Sequence, residues 1–163
     1  MSASTVSSDT ITTFETDMLL SEATVCLADN IYHEARGQGT AGWIAVANVT
    51  LNRVIDPRFP NTVCEVTMQG PHRPSWKGTG EMIPVRHRCQ FSWYCDGKSD
   101  KIGNDELYNK IYSLSYDLIY GIVNYVDITD GATHYHADYV MPDWAKTKTK
   151  TIEIEDHIFY RWE

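Results

Sequence analysis

The sequence has no basic residue before Arg36 and no apolar run long enough to cross a membrane. A transmembrane helix needs about 20 predominantly apolar residues, and a secretory signal needs a positively charged start. We therefore expect a soluble protein without a membrane anchor or an export signal. Residues 1–17 are acidic and rich in Ser and Thr, so we expect a flexible arm there. Residues 18–163 have the length of one domain.

Basic residues are scarce throughout, because 14 Lys and Arg face 22 Asp and Glu and give a net charge of −8. This balance excludes a general nucleic-acid binder, whose contact surface is densely basic. The deficit is uneven: residues 1–35 contain six acidic residues and no Lys or Arg, whereas residues 53–101 contain eight basic and five acidic residues. We expect this basic segment to meet an anionic partner through contacts that weaken with salt.

Cysteine is also sparse, with four residues at irregular spacing: Cys26, Cys64, Cys89 and Cys95. These are too few to indicate a disulfide scaffold. We expect buried free thiols, and the alternative is a small loop closed by a bridge between Cys89 and Cys95.

Apolar residues at three- and four-residue steps predict two long helices near the start of the chain, over residues 18–36 and 40–54. The small residues of the second helix predict close packing against the first. The stripe of the first helix ends on an acid, since it consists of Leu20, Ala23, Leu27, Ile31 and Glu34.

Shorter elements follow. Thr62 and Glu65 have the spacing of a capping box, which predicts a short helix through Gln69. Residues 70–100 form an irregular excursion. A third long helix is predicted from a cap at Asn104 or Asp105, with a buried stripe that continues through Ile122 to Val126. Alternating segments at 132–137 and 151–160 predict a small antiparallel sheet.

Glu34 is the first candidate for chemistry, because it is a carboxyl group on the apolar face of its own helix. Desolvation raises the pKa of such a group and keeps it protonated near neutral pH. A protonated carboxyl beside a cleft serves as a general acid. The alternative is a structural carboxylate paired with Arg36 or Arg53.

Three histidines form a second candidate site. A strand would place His134 and His136 on one face, and His157 with Cys89 or Cys95 could complete a zinc site that activates water. The sequence contains no HExxH or CxxC pair to support it. Hydrogen-bonded histidines in a cleft or core are the alternative, and no metal or other cofactor is expected.

The segment QFSWY at 90–94, preceded by RHR at 86–88, is the third candidate. Aromatic rings stack on pyranose faces, while amide, hydroxyl and guanidinium groups bind sugar hydroxyls and carboxylates. This mixture suits a sugar polymer that carries acids. The alternative is a packed aromatic cluster under a long loop. A Ser92 nucleophile is disfavoured because no GxSxG motif surrounds it.

Seven blocks of the sequence form an ordered set: IYHEARG (31–37), GWIAVANVTLNRV (42–54), FPNTVCEV (59–66), CQFSW (89–93), GATHYHA (131–137), PDW (142–144) and HIFY (157–160). These blocks resemble the cell-wall hydrolase family of the spore-cortex-lytic enzymes (SleB-like). The resemblance covers roughly residues 23–160 and is specific because the blocks occur in the family's order.

The resemblance implies an α+β, mainly helical, lysozyme-like domain of the goose-lysozyme and lytic-transglycosylase type that acts on peptidoglycan as a monomer. It makes Glu34 the catalytic acid. It also implies substrate contacts at Gln90, Ser92, Trp93, Tyr135 and His136. The chain departs from the family pattern at Gln38 and in a long insertion over residues 70–85, and it shows no attached peptidoglycan-binding domain.

The expected reaction is cleavage of the β-1,4 bond between N-acetylmuramic acid and N-acetylglucosamine. A lone acid favours a transglycosylase with a 1,6-anhydro product, whereas glycosidases use two carboxylates; Asp96, Asp130 and Asp138 are candidates for the second. We expect a bacteriophage endolysin that is made in the host bacterial cytoplasm and reaches the periplasm and wall through a holin-type pore. The alternatives are a metal-dependent N-acetylmuramoyl-L-alanine amidase and a non-catalytic wall-binding virion protein.

Overall fold

α-Helices build most of the fold. The computed structural model describes residues 8–124 and 126–163. Within these residues the helices are α1 (Ser8–Ala35), α2 (Thr40–Ile55), α3 (Val63–Thr67) and α4 (Asp105–Ile119), and the strands are β1 (His72–Pro74), β2 (Met82–Pro84), β3 (His134–Ala137), β4 (Thr149–Ile154) and β5 (His157–Arg161). Two 3₁₀ turns, Ser92–Cys95 and Asp143–Thr147, complete the described elements.

The first helix is longer than predicted, because α1 already begins at Ser8. Residues 8–17, where a flexible arm is expected, are helical, while residues 1–7 lie outside the described part. In this stretch the Thr16 hydroxyl donates to the carbonyl of Thr12, 2.9 Å away, so a threonine is accommodated within the helix. Phe14 and Leu19 are mostly exposed, so these two apolar side chains of α1 project to solvent.

The main core lies where α1 packs against α2, α3 and α4. As predicted, α2 lies against α1, and small side chains on α2 allow this approach. A second cluster lies between α2 and the sheet, around Phe159. The buried residues of the main core are Leu27, Ala28, Ile31, Tyr32, Ala35, Val46, Ala47, Val63 and Ile111.

Two disulfide bonds cross-link the fold, so the prediction of free thiols is wrong. Cys26 of α1 is bonded to Cys64 of α3, with a Cα–Cα distance of 5.2 Å. These cysteines are 38 residues apart, and their spacing carried no sign that α1 and α3 would be neighbours. The second bond joins Cys89 to Cys95, which was the predicted alternative.

The excursion over residues 70–100 is more ordered than predicted. Strands β1 and β2 form an antiparallel hairpin in which Arg73 pairs with Ile83. The chain then passes through Cys89 into the Ser92–Cys95 turn. The capping box before this region is confirmed, since the amide of Glu65 donates to the hydroxyl of Thr62.

The helix α4 ends earlier than predicted. Asn104 caps its start, as expected, by accepting from the amide of Leu107 at 3.0 Å. At the other end Gly121 has a φ of +66°, and the amide of Ile122 donates to the carbonyl of Asp117. This pattern is a Schellman motif, which ends a helix. The predicted continuation to Val126 is therefore wrong, and Ile122 and Val126 are exposed.

The last third of the chain forms a three-stranded antiparallel sheet with the order β3-β5-β4. The predicted sheet is thus confirmed, with β5 in the centre. Tyr135 of β3 lies opposite Phe159 of β5 in the register. The fold is α+β and mainly helical, as predicted. Among the described residues, no helix combines the length and apolarity that a bilayer crossing requires.

Candidate active site

Glu34 lies in the last turn of α1 and lines a cavity of about 450 Å³. The Tyr135 hydroxyl, from β3, donates a hydrogen bond to Oε2 of this carboxyl group over 2.5 Å. In the described part of the chain no hydrogen bond engages the other oxygen, Oε1. The cavity is lined by Tyr32, His33, Glu34, Arg36, Ser92, Trp93, Asp96, Lys98, Ser99, Asp100, Lys101 and Gly103.

Burial raises the pKa of Glu34 above its ordinary value. The hydrogen bond from Tyr135 and the positive charge of Arg53 both lower this pKa, but burial has the larger effect. Burial and the neighbouring Glu34 raise the pKa of Tyr135, so its hydroxyl keeps its proton and remains a donor. The site therefore holds a carboxyl group that stays protonated to a higher pH than an exposed glutamate does.

Arg53 is buried behind this pair and is held mainly by aromatic rings. Its guanidinium carbon lies 5.2 Å from the ring centroid of Phe59 and 4.9 Å from that of Phe91. Its Nε donates to the carbonyl of Thr133 at 2.7 Å. The ion pairs in the described part of the chain do not include Glu34, so the alternative of a simple Glu–Arg pair is not the observed arrangement.

Trp93 forms one wall of the cavity, at a position fixed by two contacts. Its indole nitrogen donates to Oδ1 of Asn30 at 2.9 Å, and its ring stacks on His33 with 4.6 Å between ring centroids. Ser92 is exposed on the same wall. The disulfide between Cys89 and Cys95 closes the loop that carries both residues. The resemblance implied substrate contacts at Ser92 and Trp93, and the structure brings both residues to the cavity that Glu34 lines.

Two predicted substrate contacts lie away from this cavity. Gln90 is exposed and does not line the cavity. Its backbone N–H donates to the backbone carbonyl of Gln69 at 2.9 Å. His136 follows Tyr135 on the strand and so points to the opposite face. There it stacks on Tyr160, with 5.3 Å between the ring centroids. These positions do not support direct contact with a sugar at Glu34.

The three histidines of the candidate metal site do not converge. His134 and His136 both contact the ring of Trp144, whereas His157 packs against Tyr135 on the other face of the sheet. The two cysteines considered as further ligands are bonded to each other. Burial and nearby cations lower the pKa of His134 to about 4, so its ring is neutral at ordinary pH. Within the described ranges, no cluster of three metal-binding side chains is found.

Of the three candidates for a second carboxylate, Asp96 lines the cavity. Asp130 instead pairs with Arg161 at 3.1 Å, and Asp138 is exposed after the end of β3. Sequence reasoning missed Asp100, which also lines the cavity, and His33, on which Trp93 stacks. The signal for His33 was its place directly before Glu34; nothing in the spacing of Asp100 indicated that its loop returns to α1.

One protein family and two solved structures match most of the chain. Residues 37–160 match the family described as Cell Wall Hydrolase, so Glu34 lies just before the matched segment. The structure resembles the catalytic domain of the germination-specific lytic transglycosylase SleB from Bacillus anthracis, with a TM-score of 0.59 and 27% identity over 85% of this chain and 93% of that one. It also resembles the catalytic domain of the Bacillus cereus SleB protein, with a TM-score of 0.56 and 27% identity over 86% of this chain and 91% of that one. No curated protein matches the chain.

Proposed function

Because the chain belongs to the cell wall hydrolase family, we propose that it cleaves the glycan strands of peptidoglycan at the β-1,4 bond between N-acetylmuramic acid and N-acetylglucosamine. The observation that carries this proposal is the half-buried carboxyl group of Glu34 at the wall of a cavity, where desolvation raises its pKa. Such a group supplies the proton that a departing sugar oxygen requires. The likeness to SleB, a lytic transglycosylase in Bacillus anthracis, supports the same chemistry.

In the proposed first step, Glu34 gives its proton to the glycosidic oxygen as the bond from that oxygen to C1 of the muramyl residue breaks. Positive charge develops at C1, and Glu34 is left as a carboxylate. The hydrogen bond from Tyr135 to Oε2 stabilises this carboxylate and holds it in place. Tyr135 is thus a positioning residue in this mechanism.

In the second step, the Glu34 carboxylate takes the proton from the 6-hydroxyl of the same muramyl residue, and that oxygen bonds to C1. The product is a 1,6-anhydro sugar, and the acid is regenerated. A hydrolytic route would need a second carboxylate to activate water or to stabilise C1. Asp96 and Asp100 line the same cavity and are the residues to test for that role.

The experiment that tests the proposal is mass spectrometry of muropeptides after digestion of purified sacculi. We expect the wild-type protein to release fragments with 1,6-anhydro-muramyl ends and Glu34→Gln to release none. Glu22→Gln, at an exposed position of the same helix, is the matched control and should behave as wild type. Reducing muramic ends that disappear in Asp96→Asn or Asp100→Asn would indicate hydrolysis instead, and free stem peptides would indicate an amidase and contradict the proposal.

We further propose that the protein acts outside the cytoplasm, as a bacteriophage endolysin released through a holin-type pore. The two disulfide bonds support the location, because such bonds persist in oxidising compartments and are rare in the cytosol. Cells that express the chain alone should then keep growing. Cells that also express a pore-forming partner should lyse, and lysis without that partner would contradict the proposal.

A further inference from the structure

The β1–β2 hairpin presents a tryptophan that the core does not use. Trp76 lies in the connection between the two strands and is 87% exposed. The guanidinium carbon of Arg73 lies 4.7 Å from its ring centroid. A cation on one face of an aromatic ring restrains the ring while most of its area stays exposed to solvent. The indole is therefore exposed and at the same time oriented by a neighbouring side chain, which suits stacking on a ligand.

The hairpin is attached directly to the wall of the candidate cleft. At its base the amide of Gln90 donates to the carbonyl of Gln69, and Gly70 packs against Cys89. A Cβ on Gly70 would lie 3.0 Å from the Cα of Cys89, so the close approach of the two backbones favours glycine there. The disulfide loop that carries Trp93 and the hairpin that carries Trp76 are therefore parts of one connected wall.

A row of rings leads from Glu34 towards this hairpin. His33, next to Glu34 in sequence, stacks on Trp93; the centroid of Trp93 is 6.0 Å from that of Tyr94, and Tyr94 is 6.3 Å from His72 at the start of β1. Beyond the Ser92–Cys95 turn lies a second and larger groove of about 890 Å³. Its walls include Phe59, Pro60, Asn61, Gln69, His72 and Tyr94.

The charge of this part of the surface suits an anionic polymer. Residues 70–88 contain four basic residues, Arg73, Lys77, Arg86 and Arg88, and one acidic residue, Glu81, although the chain as a whole has a net charge of −8. Peptidoglycan strands carry carboxylates on their peptide stems and present sugar rings between them. Aromatic rings bind the apolar faces of sugars, and nearby cations attract the carboxylates.

We propose that the hairpin is a second substrate-binding site, which holds the peptidoglycan strand beyond the reacting bond. Trp76 stacks on a sugar ring, while Arg73 and Lys77 attract stem carboxylates. The groove between Tyr94 and the hairpin holds the intervening part of the strand. This inference rests on the proposed function and adds a site that binds a long substrate away from the reacting bond.

Binding of a catalytically inactive variant to purified sacculi tests the inference without cleavage. In the Glu34→Gln background, Trp76→Ala should weaken binding about three- to tenfold, the effect of losing one aromatic contact. Trp76→Phe keeps a ring and should retain most of the affinity. The matched control is Phe14→Ala, an exposed aromatic residue on α1 about 30 Å from Glu34 at 1.5 Å per residue. It should bind as the parent does.

Steady-state kinetics of the active protein give a second readout. Trp76→Ala should raise KM on sacculi by the same factor and leave kcat unchanged, because Trp76 does not touch the reacting atoms. On a soluble fragment of two disaccharides, which extends less far from the reacting bond than a strand of the sacculus, the rise in KM should be smaller. Equal binding by Trp76→Ala and its parent, or equal losses in Trp76→Ala and Phe14→Ala, would overturn the inference.

The two failures are distinguishable. If the wild-type protein released no muropeptide, the proposed function would fail, whereas the binding comparison would still report on the hairpin. If cleavage occurred and the tryptophan variants bound equally, only the hairpin site would fail.

Discussion

At the scale of single residues, the candidate site is decided by the surroundings of one carboxyl group. Glu34 is the fourth member of the IYHEARG block, and the sequence placed it on the apolar face of its helix. Its pKa is raised because burial outweighs the hydrogen bond from Tyr135 and the charge of Arg53. The role of Tyr135 follows from the position of its hydroxyl group, and the alternating pattern of a strand does not predict that position. The sequence therefore predicted the acid and not the donor that holds it.

Removing that donor should change the pH dependence of activity. In Tyr135→Phe the pKa of Glu34 should rise further, because the hydrogen bond that lowers it is gone. We expect the alkaline limb of the kcat profile to move to higher pH and kcat at the optimum to fall about three- to tenfold, as for one lost hydrogen bond. The matched control is Tyr139→Phe at an exposed tyrosine. A reduced kcat with an unmoved alkaline limb would contradict the positioning role.

The same carboxyl group should reduce stability at neutral pH. A carboxyl whose pKa is raised in the folded state stabilises at low pH, and that stability is lost as the pH rises through its folded-state pKa. Glu34→Gln removes the charge, so it should be more stable than wild type at pH 7 by about 1 kcal/mol and nearly equal to it at pH 4. Urea unfolding at both pH values measures this. A difference that does not grow with pH would contradict it.

At the scale of elements, the periodicity of apolar residues predicted the helices that pack on one another. It failed at the exposed start of α1 and at the end of α4. The face of α2 that carries Ala45, Val46 and Val49 is buried, since α1 covers part of it and the sheet around Phe159 covers the rest. For α4 the apolar pattern continues through Ile122, but Gly121 ends the helix first. Residues 8–17 of α1 are rich in Ser, Thr and acidic residues, and so their composition resembled that of a flexible arm.

The end of α4 offers a direct test of this explanation. Gly121 has a φ of +66° and no neighbouring atom within 4 Å of a built Cβ, so alanine there would be strained without a clash. We expect Gly121→Ala to lower the free energy of unfolding by about 1 kcal/mol. Gly37→Ala is the matched control, because it also has free space and its φ is not positive. Equal values for the two variants in urea unfolding would contradict the Schellman assignment.

At the scale of the whole molecule, charge is distributed unevenly, and part of the basic segment lines the candidate site. Lys98 and Lys101 line the cavity with Glu34, and Arg73 and Lys77 lie on the hairpin. The sequence predicted a locally basic segment. It did not show that α1 and the disulfide loop would bring this segment to Glu34, because that depends on contacts between distant parts of the chain.

Binding to sacculi should therefore weaken with salt. We expect the affinity of Glu34→Gln to fall as ionic strength rises, because exposed charges are screened over about 10 Å at 0.1 M salt. Adding Lys101→Glu should weaken binding severalfold at low salt and make the salt dependence shallower. Lys110→Glu reverses a lysine of α4 outside the basic segment and is the matched control. Salt-independent binding, or equal effects of the two reversals, would contradict this prediction.

The hydrogen bond between Glu34 and Tyr135 also has a consequence for biosynthesis. Its two residues are separated by 101 positions, and the strand that pairs with β3 is β5, at residues 157–161. A ribosome adds about 5–20 residues per second and completes α1 long before it reaches that strand. Glu34 therefore lacks its hydrogen-bond donor, Tyr135, while most of the chain is synthesised. Activity should first appear when translation is nearly finished, and nascent chains that stop before residue 134 should lack it.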